Sequence, residues 1–371
     1  MSRLGPDNPR KILIRGTNWV GDSVISIPAM REIRRLFPKA HIALLVRPWV
    51  REIYTSVGFI DEILEYDKQG NHRGLSGFYR LVADLRKRGF DLAILLQNAF
   101  EAALIAWCAG IPKRAGYRRD GRGFLLTHAC SIDPEVRRVH QAYYYLGILS
   151  SLGLMEDRPW ENPSRELSVR IDIGAADRKS ARLQLQAGGI HPDQLKVGLN
   201  PGAFYGEAKR WLPDRYASVA DTLVDQYGAR IILFGSASDL PVVEEVASQM
   251  KAPFLNLAGK TSLGQLMALI SECSLLITND SGPMHLAAAL DVPQLAIFGS
   301  TSEIATGPLS KSAVIIKNPA DCNPCFLREC PTDFRCMNSI SVEQVVAAAK
   351  RHLDSASAAG SEGARISPGF L

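Results

Sequence analysis

Short apolar runs, each handing over to small or polar residues at its carboxyl end, recur along this sequence and constrain its fold more than any other feature. In the first half they are Lys11–Arg15, followed by Gly16-Thr17-Asn18; His41–Val46; and Asp91–Leu96, followed by Gln97-Asn98. In the second half they are Lys196–Leu199, ending at Asn200-Pro201-Gly202; Arg230–Phe234, ending at Gly235-Ser236; Leu275–Thr278, ending at Asn279-Asp280; and Gln294–Phe298, ending at Gly299-Ser300. Helical patterns lie between them. Ile25–Phe37 carries apolar Ile25, Met30, Ile33 and Phe37 and is closed by Pro38, which cannot continue a helix. Tyr79–Arg88, Arg215–Tyr227, Leu240–Met250 and Leu263–Cys273 are further helical stretches. Strand alternating with helix implies right-handed βαβ units on a parallel sheet. Each half is therefore predicted to be a doubly wound α/β domain, in which ligands bind at the carboxyl edge of the strands.

The chain has 371 residues, of which 46% are hydrophobic and 22% charged, a balance that excludes general disorder. The predicted partition is residues 1–174, residues 175–354 and a tail, 355–371. The hinge is placed near Asp172–Asp177, after a stretch bearing Pro159, Asn162 and Pro163 and a strand-like Glu166–Ile171. The tail is rich in Ala, Ser and Gly and is predicted to be disordered; whether the last helix packs back on the first domain is left open. Met1–Arg10 is polar and carries no secretory apolar region, which predicts a cytoplasmic protein. Leu92–Ile111 is the most apolar window, but Gln97, Asn98 and Glu101 would be costly in hydrocarbon, so a buried strand and helix are expected there. The net charge of +5 suits either an ordinary solvated surface or an anionic partner. Its basic residues are scattered and not interleaved with aromatics, so no nucleic-acid partner is expected.

Three loops at strand ends carry candidate chemistry. Asn279-Asp280-Ser281-Gly282-Pro283-Met284-His285 joins a strand to a helix, with Pro283 suited to the first turn and backbone N–H groups of Ser281 and Gly282 suited to a phosphate. Asn200–Pro213 contains Gly202 and places Lys209 and Arg210 beside Trp211, a pattern that serves as a pyrophosphate clamp or as a solvated basic loop. Gly16–Asp22 lacks both the dinucleotide and the P-loop spacing; its Asp22 is either a helix cap or a general base. Cys322, Cys325, Cys330 and Cys336 meet the ligand count of a structural zinc without the spacing of a paired-knuckle ribbon; no metal is expected, with zinc as the alternative. No H-E-x-x-H or Asp-x-Asp pattern occurs, which disfavours a metal-dependent transferase.

Taken together, these segments resemble glycosyltransferase family 9, the lipopolysaccharide heptosyltransferases. The likeness is carried by Lys11-Ile-Leu-Ile-Arg with Trp19-Val-Gly21-Asp22, by Asn200-Pro-Gly-Ala through Lys209-Arg-Trp-Leu-Pro213, and by Asn279 through His285 with Ala287-Ala-Ala289. Arg114-Ala-Gly-Tyr117-Arg118 and the cysteine-rich Cys322–Met337 add to it, so it extends over nearly the whole chain outside the tail. The resemblance implies a glycosyltransferase-B fold, two Rossmann-like domains facing a cleft. It implies inverting transfer of heptose from ADP-heptose, in the second domain, to the first heptose of a lipid A–Kdo–heptose acceptor at the cytoplasmic face of the inner membrane. It implies that no cofactor is required.

By the same resemblance Asp22 is the base, Lys209 the phosphate-contacting lysine, Asp280 the acid of the donor loop and Asp239 a ribose-contacting acid after Gly235-Ser236. Asn200, Gly202, Arg210, Gly235, Ser281, Gly282, Pro283, Met284 and His285 complete the expected donor site, and Trp19, Gly21, Arg114, Arg118 and Arg119 the acceptor site, with Arg122 in the same basic loop. The residues leave open an enzyme using another nucleotide sugar, action one sugar earlier in the core, and a non-catalytic ADP-heptose-binding protein.

Overall fold

The computed structural model describes residues 9–155, 157–162 and 166–363. The chain divides into two compact units, with the break between Asp172 and Ile173. In the first, β1 (Lys11–Arg15), β2 (His41–Val46), β3 (Glu62–Glu65), β4 (Leu92–Leu95), β5 (Lys113–Tyr117) and β6 (His128–Cys130) form a sheet in the order β3-β2-β1-β4-β5-β6. Every pairing is parallel. In the second, β7 (Lys196–Asn200), β8 (Arg230–Leu233), β9 (Phe254–Asn256), β10 (Leu275–Asn279), β11 (Gln294–Ile297) and β12 (Ala313–Ile316) follow the order β12-β11-β10-β7-β8-β9, again all parallel. Counted from each domain's first strand, the two orders are the same. Winding runs outward one way from β1 or β7 and then reverses to β4 or β10. That reversal leaves a crevice at the carboxyl ends of the central pair.

Central strands such as β4 (Leu-Ala-Ile-Leu) and β10 are buried on both faces, which is why they read as unbroken apolar runs. The covering helices of the first domain are α1 (Val20–Ile25), α2 (Ile27–Leu36), α3 (Gly74–Arg88), α4 (Phe100–Cys108) and α5 (Gln141–Ser151). Those of the second are α6 (Ala175–Ala187), α7 (Pro213–Tyr227), α8 (Leu240–Gln249), α9 (Leu263–Ser271) and α10 (Gly282–Ala289) and, after one-turn α11 (Glu303–Thr306), whose residues Ile304–Thr306 group with the first unit, one-turn α12 (Arg335–Asn338) and α13 (Val342–Gly363). Among the described residues, no helix is long and apolar enough to cross a membrane.

Three expectations change. The helix expected over Ile25–Phe37 begins earlier and is broken: α1 ends at Ile25, Ser26 follows, and α2 restarts with Pro28 in its first turn. Proline has no N–H for the preceding turn, so the break falls where its absence costs least. Glu166–Ile171 forms no strand, although Val169 and Ile171 are buried. The predicted disorder of the tail gives way to α13 as far as Gly363, in keeping with the helix preference of its alanines, while residues 364–371 lie outside the described ones. The same helix packs Val345, Ala349 and Leu353 into the core of its own domain, with Trp211 and Tyr216.

Ile277, on β10 at the centre of that core, is fully buried, whereas Ile315 on the edge strand β12 is 41% exposed. Ile277→Ala is expected to destabilise the second domain by about 2–5 kcal/mol and Ile315→Ala by less than about 1 kcal/mol, measured by urea unfolding.

Candidate functional site

The reversal between β7 and β10 generates the second domain's site. Each strand ends in a buried asparagine. The Asn200 side chain donates to Gly202 O (3.2 Å), Thr278 Oγ1 (3.3 Å) and Ser281 Oγ (3.1 Å). Asn279 donates to Pro201 O (2.7 Å) and accepts from Trp211 N (3.0 Å) and the Tyr216 hydroxyl (3.1 Å). The two loops are thereby locked to each other. Asp280 follows at once and is nearly fully buried, with its Oδ2 accepting from Lys209 Nζ (2.5 Å) and Thr301 Oγ1 (2.6 Å). Ser281 is extended at the N-cap of α10, Pro283 occupies the first turn, and Met284 and His285 are buried behind it. First-turn N–H groups of a helix lack intrahelical acceptors and carry its positive end, a fit to an anion.

Asp239 closes the neighbouring side. Its Oδ2 accepts from Ser236 N (3.0 Å) and Ser236 Oγ (2.6 Å), and its Oδ1 lies 3.8 Å from the Arg210 guanidinium without a hydrogen bond. Gly202 makes this possible, because a Cβ there would stand 2.3 Å from the Asp239 carboxyl carbon. Gly235 lies against the same side chain, 3.1 Å for its missing Cβ. The expected donor residues Asn200, Gly202, Lys209, Arg210, Gly235, Asp239 and Asp280–His285 thus meet at one sheet edge.

In the first domain Asp22 stands in the first turn of α1, directly after β1, and is partly exposed. Gln141 Nε2, at the start of α5, donates to Asp22 Oδ1 (3.2 Å) and fixes the carboxylate's direction. Burial pushes the Tyr54 phenol up to about 12, and Tyr145 well above the usual range; in both, the Asp22 charge adds to the shift. Both phenols therefore stay neutral at physiological pH. The loop before it is braced: Arg15 donates to Asn18 Oδ1 (3.0 Å), and Trp49 Nε1 to Asn18 O (2.7 Å). Trp19 is 55% exposed beside Gly21.

Arg118 and Arg119 follow β5 and line a cavity of about 550 Å³ with Asp120, Gly121, Gly123 and Phe124. Arg114 departs from its expected place. It lies at the amino end of β5, and its guanidinium donates to the carbonyls of Ile111 (2.5 Å) and Leu125 (2.7 Å), so it braces its own strand. Arg122 is fully buried, donating to Tyr117 O and Gln97 O, and burial lowers its pKa to about 10. It is the frame of the basic loop. Among the described residues, no three His, Cys, Asp or Glu side chains are gathered to hold a metal ion. Cys336 is buried against the core, and burial together with the neighbouring Cys322, Cys325 and Cys330 raises its thiol pKa, while Cys322 is exposed. Sequence reasoning missed Asn18, Trp49, Gln141 and Thr301, single polar or aromatic residues whose roles come from contacts distant in sequence.

A family model described as glycosyltransferase family 9 (heptosyltransferase) matches residues 78–334. Lipopolysaccharide heptosyltransferase 2 of Escherichia coli K12 is 32% identical over 311 residues, 83% of this chain and 88% of the relative. The solved E. coli ADP-heptose lps heptosyltransferase II superposes with a TM-score of 0.79 at 28% identity, covering 94% of this chain and 99% of that one. A glycosyl transferase family 9 structure from Veillonella parvula gives 0.82 at 26% identity, over 95% and 99%. With two six-stranded parallel sheets of Rossmann order, the chain has the glycosyltransferase-B fold and belongs to glycosyltransferase family 9, the heptosyltransferases of the lipopolysaccharide core.

Proposed function

We propose that the chain transfers L-glycero-D-manno-heptose from ADP-heptose to the first heptose of the lipopolysaccharide inner core, with inversion at the anomeric carbon. The observation that carries this reading is Lys209, held by Asp280 beside the start of α10 at the reversal of the sheet. The similarity to heptosyltransferase II supports the donor and the position in the core. In this reading the second domain (from Ile173) binds the donor and the first binds the acceptor. The acceptor is lipid-linked, so the enzyme works at the cytoplasmic face of the inner membrane.

The Asp22 carboxylate takes the proton of the acceptor hydroxyl as that oxygen attacks the anomeric carbon. The bond from that carbon to the ADP oxygen breaks, and ADP leaves with the electron pair. An inverting transfer needs one carboxylate for this, on the face opposite the leaving group. Lys209 and the N–H groups at the start of α10 take up the charge that grows on ADP, so the proposal requires no bound metal. Asp280 orients Lys209, and Asp239 meets the ribose. Gln141 aims the base, and Trp19, Gly21, Arg118 and Arg119 face the acceptor.

The test is incubation with ADP-heptose and heptosyl-Kdo-lipid A, following ADP release and acceptor mass. Turnover only with another nucleotide sugar, only with an acceptor lacking the first heptose, or binding without turnover would each replace this reading. Asp22→Asn is expected to slow transfer by roughly 10²–10⁴-fold while leaving ADP affinity within about twofold; a near-normal rate would remove Asp22 from the base role. Lys209→Ala should weaken ADP binding by about 10–100-fold, read by calorimetry, and slow transfer as well. Addition of EDTA should leave the initial rate unchanged, and a loss restored by a divalent cation would contradict the metal-free assignment.

A further inference from the structure

The cysteine-rich segment is the sequence motif that the proposed reaction leaves unused, and it is folded against the loop that carries Lys209. Ala208 N donates to Arg328 O (3.0 Å) and the Tyr205 hydroxyl to Phe326 O (2.8 Å), while Phe326 N donates to Ser300 O (2.8 Å). The approach is as close as backbones allow: a Cβ on Gly206 would stand 2.2 Å from Arg328 O. Docked in this way, the segment brings a second cation to Tyr205. Lys209 Nζ lies 4.9 Å from the centre of the Tyr205 ring and the Arg328 guanidinium carbon 5.2 Å.

Charge decides what this arrangement is for. A diphosphate brings at least two negative charges. Lys209 is already matched by Asp280 at 2.5 Å, and Arg210 faces Asp239 at 3.8 Å, so each of these cations is offset by a carboxylate. Arg328 is exposed, and among the described residues no carboxylate forms an ion pair with it. An aromatic ring attracts a cation at an exposed site only weakly, and two like charges sharing one ring repel. Tyr205 thus holds the guanidinium near Lys209 without neutralising it.

We propose that Arg328 is a donor-site residue, binding the diphosphate of the nucleotide sugar together with Lys209, with Tyr205 as the spacer between the two cations. The inference rests on the reading that Lys209 meets that diphosphate. A guanidinium offers two parallel N–H groups to phosphate oxygens, which the ammonium of Lys209 does not. Arg328 would stabilise charge on the departing ADP as well as bind it.

The segment's hydrogen bonds to the Lys209 loop are accepted by the backbone carbonyls of Phe326 and Arg328, so Arg328→Gln removes the guanidinium and keeps them. The experiment measures ADP and adenosine affinity of the full-length chain by calorimetry and competition, for the parent, Arg328→Gln and Lys209→Ala, with Tm recorded for each. Arg328→Gln is expected to weaken ADP by about 10–100-fold, to leave adenosine within about twofold and to leave Tm unchanged. Arg328→Lys should recover part of the loss. If Lys209→Ala weakens ADP and Arg328→Gln does not, Arg328 lies outside the site and the inference is overturned. If neither changes ADP affinity, the reading of Lys209 fails, and this inference with it.

Discussion

The two buried asparagines at the ends of β7 and β10 hold together everything the second domain does. Where neighbouring strands diverge, their backbone groups lose sheet partners and must be satisfied inside the protein. Asn279 meets that demand by joining Pro201 O, Trp211 N and the Tyr216 hydroxyl, and Asn200 by reaching Gly202, Thr278 and Ser281. Trp211 carries the constraint further, since its indole N–H donates to Ile340 O (3.1 Å). The loop bearing Lys209, the loop bearing Asp280 and the segment leading into α13 therefore form one polar framework. Loss of either asparagine would leave several buried groups unsatisfied at once.

The first domain solves the corresponding problem with charge. Arg15 ends β1 and Arg47 follows β2; both are buried, with the Arg47 guanidinium 4.2 Å from the Tyr66 ring centre and 3.6 Å from Glu101. Glu101 also accepts from the Tyr66 hydroxyl and Lys68, at 2.8 Å each, and these donors hold its carboxyl below the usual range. Burial, with Arg47 nearby, lowers Arg15 to about 10, so it remains a cation at neutral pH. Its hydrogen bond to Asn18 links this network to the loop that presents Asp22.

Much of this was legible in the sequence because burial on both faces of a parallel strand leaves unbroken apolar runs. Strands β1, β2, β4, β7, β8, β10 and β11 read clearly for that reason. The edge strands β3, β9 and β12 did not, because one side faces solvent and residues such as Glu62 and Glu65 interrupt the pattern. The donor loops were visible as glycine and charge at strand ends. What escaped was partnership: nothing local distinguishes Arg114, bonded to carbonyls, from Arg118, which lines a cavity. Gln141 reaches Asp22 across 119 positions, and such a contact leaves no local pattern.

The pairing of Lys209 with Asp280 has a consequence for affinity that concerns disorder. A free lysine side chain loses up to about 2 kcal/mol of rotamer entropy when it is fixed. Here that loss is taken during folding, because the ammonium is already held between a buried carboxylate and the Tyr205 ring. A ligand arriving at this lysine has little side-chain motion left to freeze, and the contact it forms is correspondingly more favourable.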